Sequence, residues 1–411
     1  MEEHPQARLI IETLTHAGFV AYYAGGWVRD FLLGHPSDDI DIATNAPPET
    51  IQALFPKTVP LGIAFGIVLV LIDGHEYEIA TFRSDVEYKD GRRPSRVEFT
   101  TAAEDALRRD FTINGMFYDP LRKEILDFVG GQKDLAAKVI RAIGNPHDRI
   151  KEDRLRMIRA IRLSCRFHFP IDSATEAAIR AHANELFPAV AIERIVQELE
   201  KAHAFGNLRH MLVLLHQYHL LEVIFPSLKG IPLIETERRL DPLKHFPIDA
   251  PLLAYLLELF PQSSLEEQLA LCKMLKLPNL HQQFATFLFH AKTLTPSDSL
   301  QKWAYFYAHR FSSIAIQIIA AHLDEPHRAA FLASHDSAKL RLAKSINRIQ
   351  RQEPLIQSSD LADLGIAPGK TMGLLLKAAE TIAINEQLHD KYTVLERLKQ
   401  LFPQYFHELP G

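Results

Sequence analysis

Two adjacent glycines, Gly25 and Gly26, set the first constraint on how this chain can fold, because they divide an apolar run from an amphipathic one. Phe19 to Tyr23 reads as a short strand, Gly25-Gly26 as a tight turn, and Trp27 to Leu33 as the opening of a helix. Glycine lets the backbone turn and come close to a ligand, and a helix start offers unpaired N–H groups, so this strand–turn–helix suits a phosphate chain. Shortly afterwards Asp39 and Asp41 alternate with Ile40 and Ile42. In a strand, both carboxylates leave on the same face. Two such charges side by side repel unless a cation lies between them, and Mg²⁺ is the natural resolution. Each motif alone is common in turns and strands that bind nothing. Their close succession is the informative part.

The rest of the first 145 residues mixes strand and helix signals. Ile67 to Ile72 is β-branched and apolar, Asp73-Gly74 marks a hairpin turn, and His75 to Phe82 alternates as the returning strand. Pro47 to Phe55 reads as a short helix with proline in its first turn. Lys89 to Arg96, with Arg92-Arg93-Pro94 at its centre, reads as a charged, mobile loop. After Gly144-Asn145-Pro146 the periodicity is almost wholly helical: 152–167, 173–183, 192–203, 208–224, and amphipathic stretches across much of 250–400. The expected architecture is α+β, a small mixed head on a long helical remainder.

The composition limits the function classes. With 411 residues the chain holds two or three compact units, and 47% hydrophobic with 24% charged residues is ordinary globular composition. A net charge of −5 does not announce a nucleic-acid binder. The basic surface is local: between Arg141 and Phe167 eight Lys/Arg face three Asp/Glu, a net of +5. Cys165 and Cys272 read as buried reduced thiols. The acidic start lacks a secretory layout and no apolar run could span a bilayer, so a soluble cytoplasmic protein is expected.

Two further clusters carry chemistry. In Arg108-Arg109-Asp110-Phe111-Thr112-Ile113-Asn114, Arg109 can fork onto phosphate oxygens, while Asp110 and Asn114, four apart, would share a helical face and could hold ribose hydroxyls. A lone Arg-Arg-Asp is more often a helix start with surface arginines. In the predicted helix 152–167, Asp153, Arg156, Arg159 and Arg162 recur every third residue beside an apolar stripe of Leu155, Ile158 and Ile161. A solvated face is the bland alternative. Four arginines between 154 and 162, with no lysine among them, favour bidentate recognition. The histidines His210, His216 and His219 read as packed or surface residues rather than a zinc site.

Gly25-Gly26-x-Val28-Arg29-Asp30, Asp39-x-Asp41, Arg108-Arg109-Asp110-Phe111-x-Ile113-Asn114, Glu152-Asp153-x-x-Arg156 and Glu193-Arg194-Ile195 occur in one order over roughly residues 20 to 225. In this the sequence resembles the bacterial class II tRNA nucleotidyltransferases, the CCA-adding enzymes, and their relatives the bacterial poly(A) polymerases. The resemblance implies a polymerase-β-like nucleotidyltransferase head at 1–145, a helical neck for base recognition at 146–228, and an RNA-binding body and tail at 229–411. It implies Asp39 and Asp41 as catalytic ligands of Mg²⁺, and Gly26, Arg29 and Arg109 on the triphosphate. It further implies Asp110 and Asn114 on the ribose, and Asp153 and Arg156 as a protein template for CTP and ATP, with Arg159 and Arg162 extending the stripe toward base and phosphates. The partner would be a tRNA 3′ end. Glu78 is a candidate third carboxylate, or equally a solvent-facing strand residue. The loop bearing Arg92-Arg93-Pro94 looks like the family's flexible loop and disfavours CC-only addition. Poly(A) addition, addition of the terminal A alone, and a non-catalytic RNA-binding relative are the competing readings. His389-Asp390 is a lone pair without further histidines, so a phosphohydrolase activity is not assigned.

Overall fold

Gly25 takes φ 68°, a left-handed conformation that disfavours any side chain, and there the chain turns from strand β1 (Ala21–Ala24) into helix α2 (Gly26–Leu32). Helix α1 (Pro5–His16) precedes them. The computed structural model describes residues 4–35, 37–62, 65–88 and 94–406. Strand β2 (Asp41–Thr44) pairs antiparallel with β1, placing Ala24 opposite Asp41. After helix α3 (Pro48–Leu54) come β3 (Thr58–Gly62), β4 (Ile67–Ile72) and β5 (His75–Thr81). Asp73 at φ 50° and Gly74 at φ 81° make the expected two-residue turn between β4 and β5. Strand β5 runs parallel to β2, and the sheet has the order β3-β4-β5-β2-β1-β8-β9 once β8 (Phe117–Asp119) and β9 (Glu124–Leu126) are added. Ile42, Ile79, Val68 and Val70 are fully buried on one face of this sheet. Asp41 lies on the other face, as the period of two requires.

The segment read as a loop is in part a second sheet. Strands β6 (Arg83–Tyr88) and β7 (Pro94–Phe99) form an antiparallel pair, so residues 94–96 are strand rather than loop. Arg92 and Arg93 lie outside the described residues. Helix α4 (Ala102–Leu107) follows, started by a reciprocal Thr101–Glu104 capping box.

From helix α5 (Gly131–Ala136) to the chain's end, the described residues form no further strand. The predicted helix 152–167 is two helices, α6 (Pro146–Glu152) and α7 (Leu155–Phe167). Asp153 sits between them in an extended conformation and accepts the Leu155 N–H at 3.0 Å, the habit of a helix-capping carboxylate. Asp153 therefore lies outside the helix that carries Arg156, although its carbonyl still accepts the Arg156 N–H at 3.0 Å. The apolar stripe of α7 is buried as expected and packs on α10 (Ile192–Ala204) and α11 (Leu208–Gln217), beyond α8 (Ser173–His182) and α9 (Leu186–Ala189). The predicted helix 208–224 likewise breaks, because His219 takes φ 61° before α12 (Leu221–Ile224). His219 is thus off the helix that carries His210 and His216.

Chain contacts divide the protein into two compact units, Met1–Glu237 and Arg238–Gly411. In the second, Lys276 at φ 52° ends the helix Leu265–Met274, and Pro278 introduces Asn279–Ala291. A separate apolar cluster holds the last helices together through Leu361, Leu375, Ala379, Val394 and Leu398. Asp390 caps the helix Lys391–Leu401 by accepting the Thr393 N–H, an architectural use of the His-Asp pair. Cys165 and Cys272 are both buried and free, as expected.

Candidate active site

The ends of the central strands β1 and β2, the turn after α4 and helix α7 converge on one cavity of about 600 Å³. Gly26, Arg29, Asp39, Asp41, Arg109, Asp110, Asn114, Asp153, Arg156, Arg159 and Arg162 all line it, so these eleven expected residues face the same space, while Glu78 is not among the lining residues.

Asp41 opens β2, and Asp39 stands two residues ahead of the strand; both are exposed to the cavity. The parallel register that pairs Ile42 with Ile79 sets Glu78 beside Asp41. The cavity walls desolvate the Asp41 carboxyl, and the nearby charges of Asp39 and Glu78 add to this, with Arg109 opposing; the result is a pKa pushed up to about 6. A carboxyl held this reluctantly in its charged form is relieved by a cation, so the pair fits a divalent metal. Among the described residues no three His, Cys, Asp or Glu side chains gather closely enough to hold a metal, so Glu78 completes no triad.

The cationic wall is braced by its own acids. Arg29 is buried, donates to Asp30 at 2.9 Å and to Asn114 Oδ1 at 2.5 Å, and stacks 4.7 Å over Phe167. Burial pulls its pKa down, although Asp30 opposes this. Asn114 in turn donates to Asp110 Oδ1 at 3.1 Å. Asp110 and Asn114 meet not along a helix but because the short turn Thr112–Asn114 folds back. Arg159 pairs with Asp110 at 2.6 Å. Burial works against the Asp110 carboxylate, but Arg159 and the Asn114 hydrogen bond outweigh it and hold its pKa far below the usual range. Asp110, with help from Glu198, raises the pKa of Arg159 against the effect of burial. Arg109 is anchored on Asp105 at 3.0 Å, with its guanidinium 4.8 Å over Phe117.

At the other end Arg194 holds both oxygens of Asp153, at 3.1 and 2.6 Å. Arg156 donates to Glu152 at 2.7 Å and to the carbonyls of Arg149 and Arg108 at 2.8 and 3.3 Å.

This arrangement has counterparts among known proteins. Residues 21–141 match the family described as Poly A polymerase head domain, and residues 168–231 the family described as probable RNA and SrmB-binding site of polymerase A. The CCA-adding enzyme of Pediococcus pentosaceus is 32% identical over 409 residues, covering 96% of this chain and 97% of that one. The chain belongs to the CCA-adding enzyme family. The Bacillus stearothermophilus CCA-adding enzyme, solved in complex with CTP, has 28% identity and a TM-score of 0.79 over 98% of this chain and 100% of that one. The Thermotoga maritima CCA-adding enzyme, solved with tRNA, shares the fold at 21% identity with a TM-score of 0.68, covering 97% of this chain and 96% of that one. No helix among the described residues is long and apolar enough to cross a membrane.

Several side chains of this CCA-adding family member escaped the sequence reading. Arg194 stood in a quoted motif without a role. Glu198 is 2% exposed and gathers Arg162 at 2.5 Å, Arg159 at 3.5 Å and Lys201 at 3.7 Å. A signal existed: Glu198 falls on the apolar stripe of α10 with Ile195, Leu199 and Ala202, where a carboxylate needs a cationic partner. Arg166, Lys201 and Phe205 also line the cavity, and nothing in the local pattern singled them out.

Proposed function

We propose that this protein adds nucleotides from CTP and ATP to the 3′ end of tRNA, building the terminal CCA and releasing pyrophosphate. The reading rests above all on one observation: the carboxylates of Asp39 and Asp41 and the arginines of α7 open onto a single cavity. Membership of the CCA-adding family adds the reaction class.

Asp39 and Asp41 would hold Mg²⁺, which on binding lowers the pKa of the RNA 3′-hydroxyl and neutralises charge at the α-phosphate. Arg29 and Arg109, with the backbone at Gly26, would hold the triphosphate, and their anchoring on Asp30 and Asp105 fixes them before substrate arrives. Asp110 and Asn114 would position the ribose. Arg159 and Arg162 extend the same wall toward base and phosphates.

Base choice follows from donor and acceptor geometry. Cytosine and adenine each present an amino donor beside a ring-nitrogen acceptor. The Asp153 carboxylate can accept from the first, and the Arg156 guanidinium can donate to the second. Arg194 occupies one lone pair on each Asp153 oxygen and the Leu155 N–H a second on Oδ1, so Oδ2 keeps an acceptor position. Uracil and guanine reverse the pattern and leave both contacts frustrated, at about 1–3 kcal/mol each.

Incorporation of labelled nucleotide into tRNA lacking its CCA end tests the reading, with CTP alone, ATP alone and both. Full CCA addition requires both nucleotides and stops after three residues. A long adenylate tract from ATP alone would identify a poly(A) polymerase instead. No incorporation at all would leave an RNA-binding relative.

A further inference from the structure

Among the described residues that line the cavity, Phe205 is the one apolar side chain; all the others are charged or polar groups or glycine. It caps the C-terminus of α10 and is 48% exposed. Its ring is not left to chance. Arg166 stacks 4.0 Å over it and is itself tied to the buried Asp30 at 3.0 Å, the carboxylate that also fixes Arg29. Arg166 therefore cannot swing away without breaking a pair that braces the proposed triphosphate wall. One helical turn before Phe205, Lys201 extends from α10 with its side chain 54% exposed and only the more distant contact to Glu198 at 3.7 Å. An exposed ring backed by a pinned guanidinium, with a largely exposed ammonium one turn away, does not match a polyphosphate, which needs cations and not a phenyl group. It matches a nucleotide: the base lies on the ring, and the ammonium meets the phosphate.

We propose that Phe205, backed by Arg166, is a stacking platform for the terminal base of the RNA strand being extended, and that Lys201 meets its phosphate. This rests on the nucleotide-transfer reading above and adds a subsite for the acceptor strand, apart from the residues assigned to the incoming nucleotide. Stacking on an aromatic face accepts any base, so the platform would serve a strand whose last residue changes at each addition. Phe205 here positions the strand and does not take part in the chemistry.

The test uses the full chain and a tRNA lacking CCA whose last base is 2-aminopurine, whose fluorescence falls when it stacks. Wild type is expected to quench the probe on binding; F205A should lose most of the quenching and bind the RNA about tenfold more weakly. F205W should restore both, while F205L keeps the bulk without the ring and should behave like F205A. KM for CTP should stay unchanged in all three. Equal quenching in wild type and F205L, or a rise in KM for CTP at unchanged RNA affinity, overturns the platform. Because binding and quenching are read without turnover, an inactive wild type would refute nucleotide transfer while leaving the platform to be judged on its own measurement.

Discussion

Arg194 on α10 grips both carboxylate oxygens of Asp153, which lies in the break between α6 and α7. The proposed base reader is therefore braced from a neighbouring helix as well as by the Leu155 N–H that opens the helix carrying Arg156. Removing this brace should blur base choice without touching the carboxylate pair at the other end of the cavity. R194A is expected to reduce the preference for CTP and ATP over UTP and GTP about tenfold, and D153A to reduce it further. R194K should rescue poorly, since an ammonium cannot hold two oxygens in a planar fork. Nucleotide-competition assays decide this, and an R194A enzyme with wild-type selectivity would refute it.

Asp110 gives a pH dependence whose sign can be stated. Its folded pKa lies well below the ordinary value of about 4, so its pairing with Arg159 contributes stability that is fully present above about pH 4 and is lost as the pH falls further. D110N removes the charge and keeps the shape. Its melting temperature should lie below wild type at pH 7, and the gap should narrow toward pH 3. Thermal melts of the two proteins across that range measure it; a gap that does not change with pH would show that the ion pair carries none of the stability.

How much of this was legible beforehand depended on whether the information was local. Glycine turns, alternating strand residues and the Asp73-Gly74 hairpin are set by neighbours in sequence, and they appear where the pattern placed them. The eleven expected residues that line the cavity were legible as candidates because each motif keeps its chemistry-bearing side chains within a few positions. The break at Asp153 was missed because Glu152-Asp153-Arg154-Leu155-Arg156 is all helix-tolerant; only the carboxylate's bond to the Leu155 N–H, with Arg194 opposite, favours a cap over a continued turn. The β6–β7 pair was missed because Arg83 to Phe99 is too polar to show a buried face. Phe205 and Arg166 lie about forty residues apart and meet only through the packing of α7 on α10. No single-element pattern reports that encounter.

Gly131 supports the site from behind. A methyl group there would run into the Thr112 carbonyl oxygen and come within 2.7 Å of the Met116 side chain. Thr112 begins the turn that ends at Asn114, the partner of both Arg29 and Asp110. G131A must push this turn outward, because a backbone carbonyl cannot rotate away as a long side chain can. The expected outcome is a loss of about 1–3 kcal/mol by chemical denaturation, as for other overpacked cores, together with a raised KM for nucleotide. Unchanged stability would mean that the turn is looser than its contacts imply.

Gly25 and Gly74 separate backbone strain from steric intrusion, since both have positive φ, 68° and 81°. A Cβ on Gly74 meets nothing within 4 Å, whereas one on Gly25 would stand 3.2 Å from Arg109 Nη1 and 3.6 Å from Asp41 Oδ2. Alanine at either position pays a conformational penalty of about 1–3 kcal/mol, the larger at Gly25, whose ψ of −130° lies where almost only glycine goes. Only at Gly25 does the methyl group also enter the space where Arg109 and Asp41 face each other. Both G25A and G74A should therefore lose stability, G25A the more, but only G25A should raise KM for CTP and ATP several-fold and lower kcat. Steady-state kinetics on the two variants, after their melting curves are matched, make the comparison. If G74A lost as much activity as G25A, the effect would be one of general strain, and the approach of backbone to ligand at the glycine turn would have no special part in catalysis.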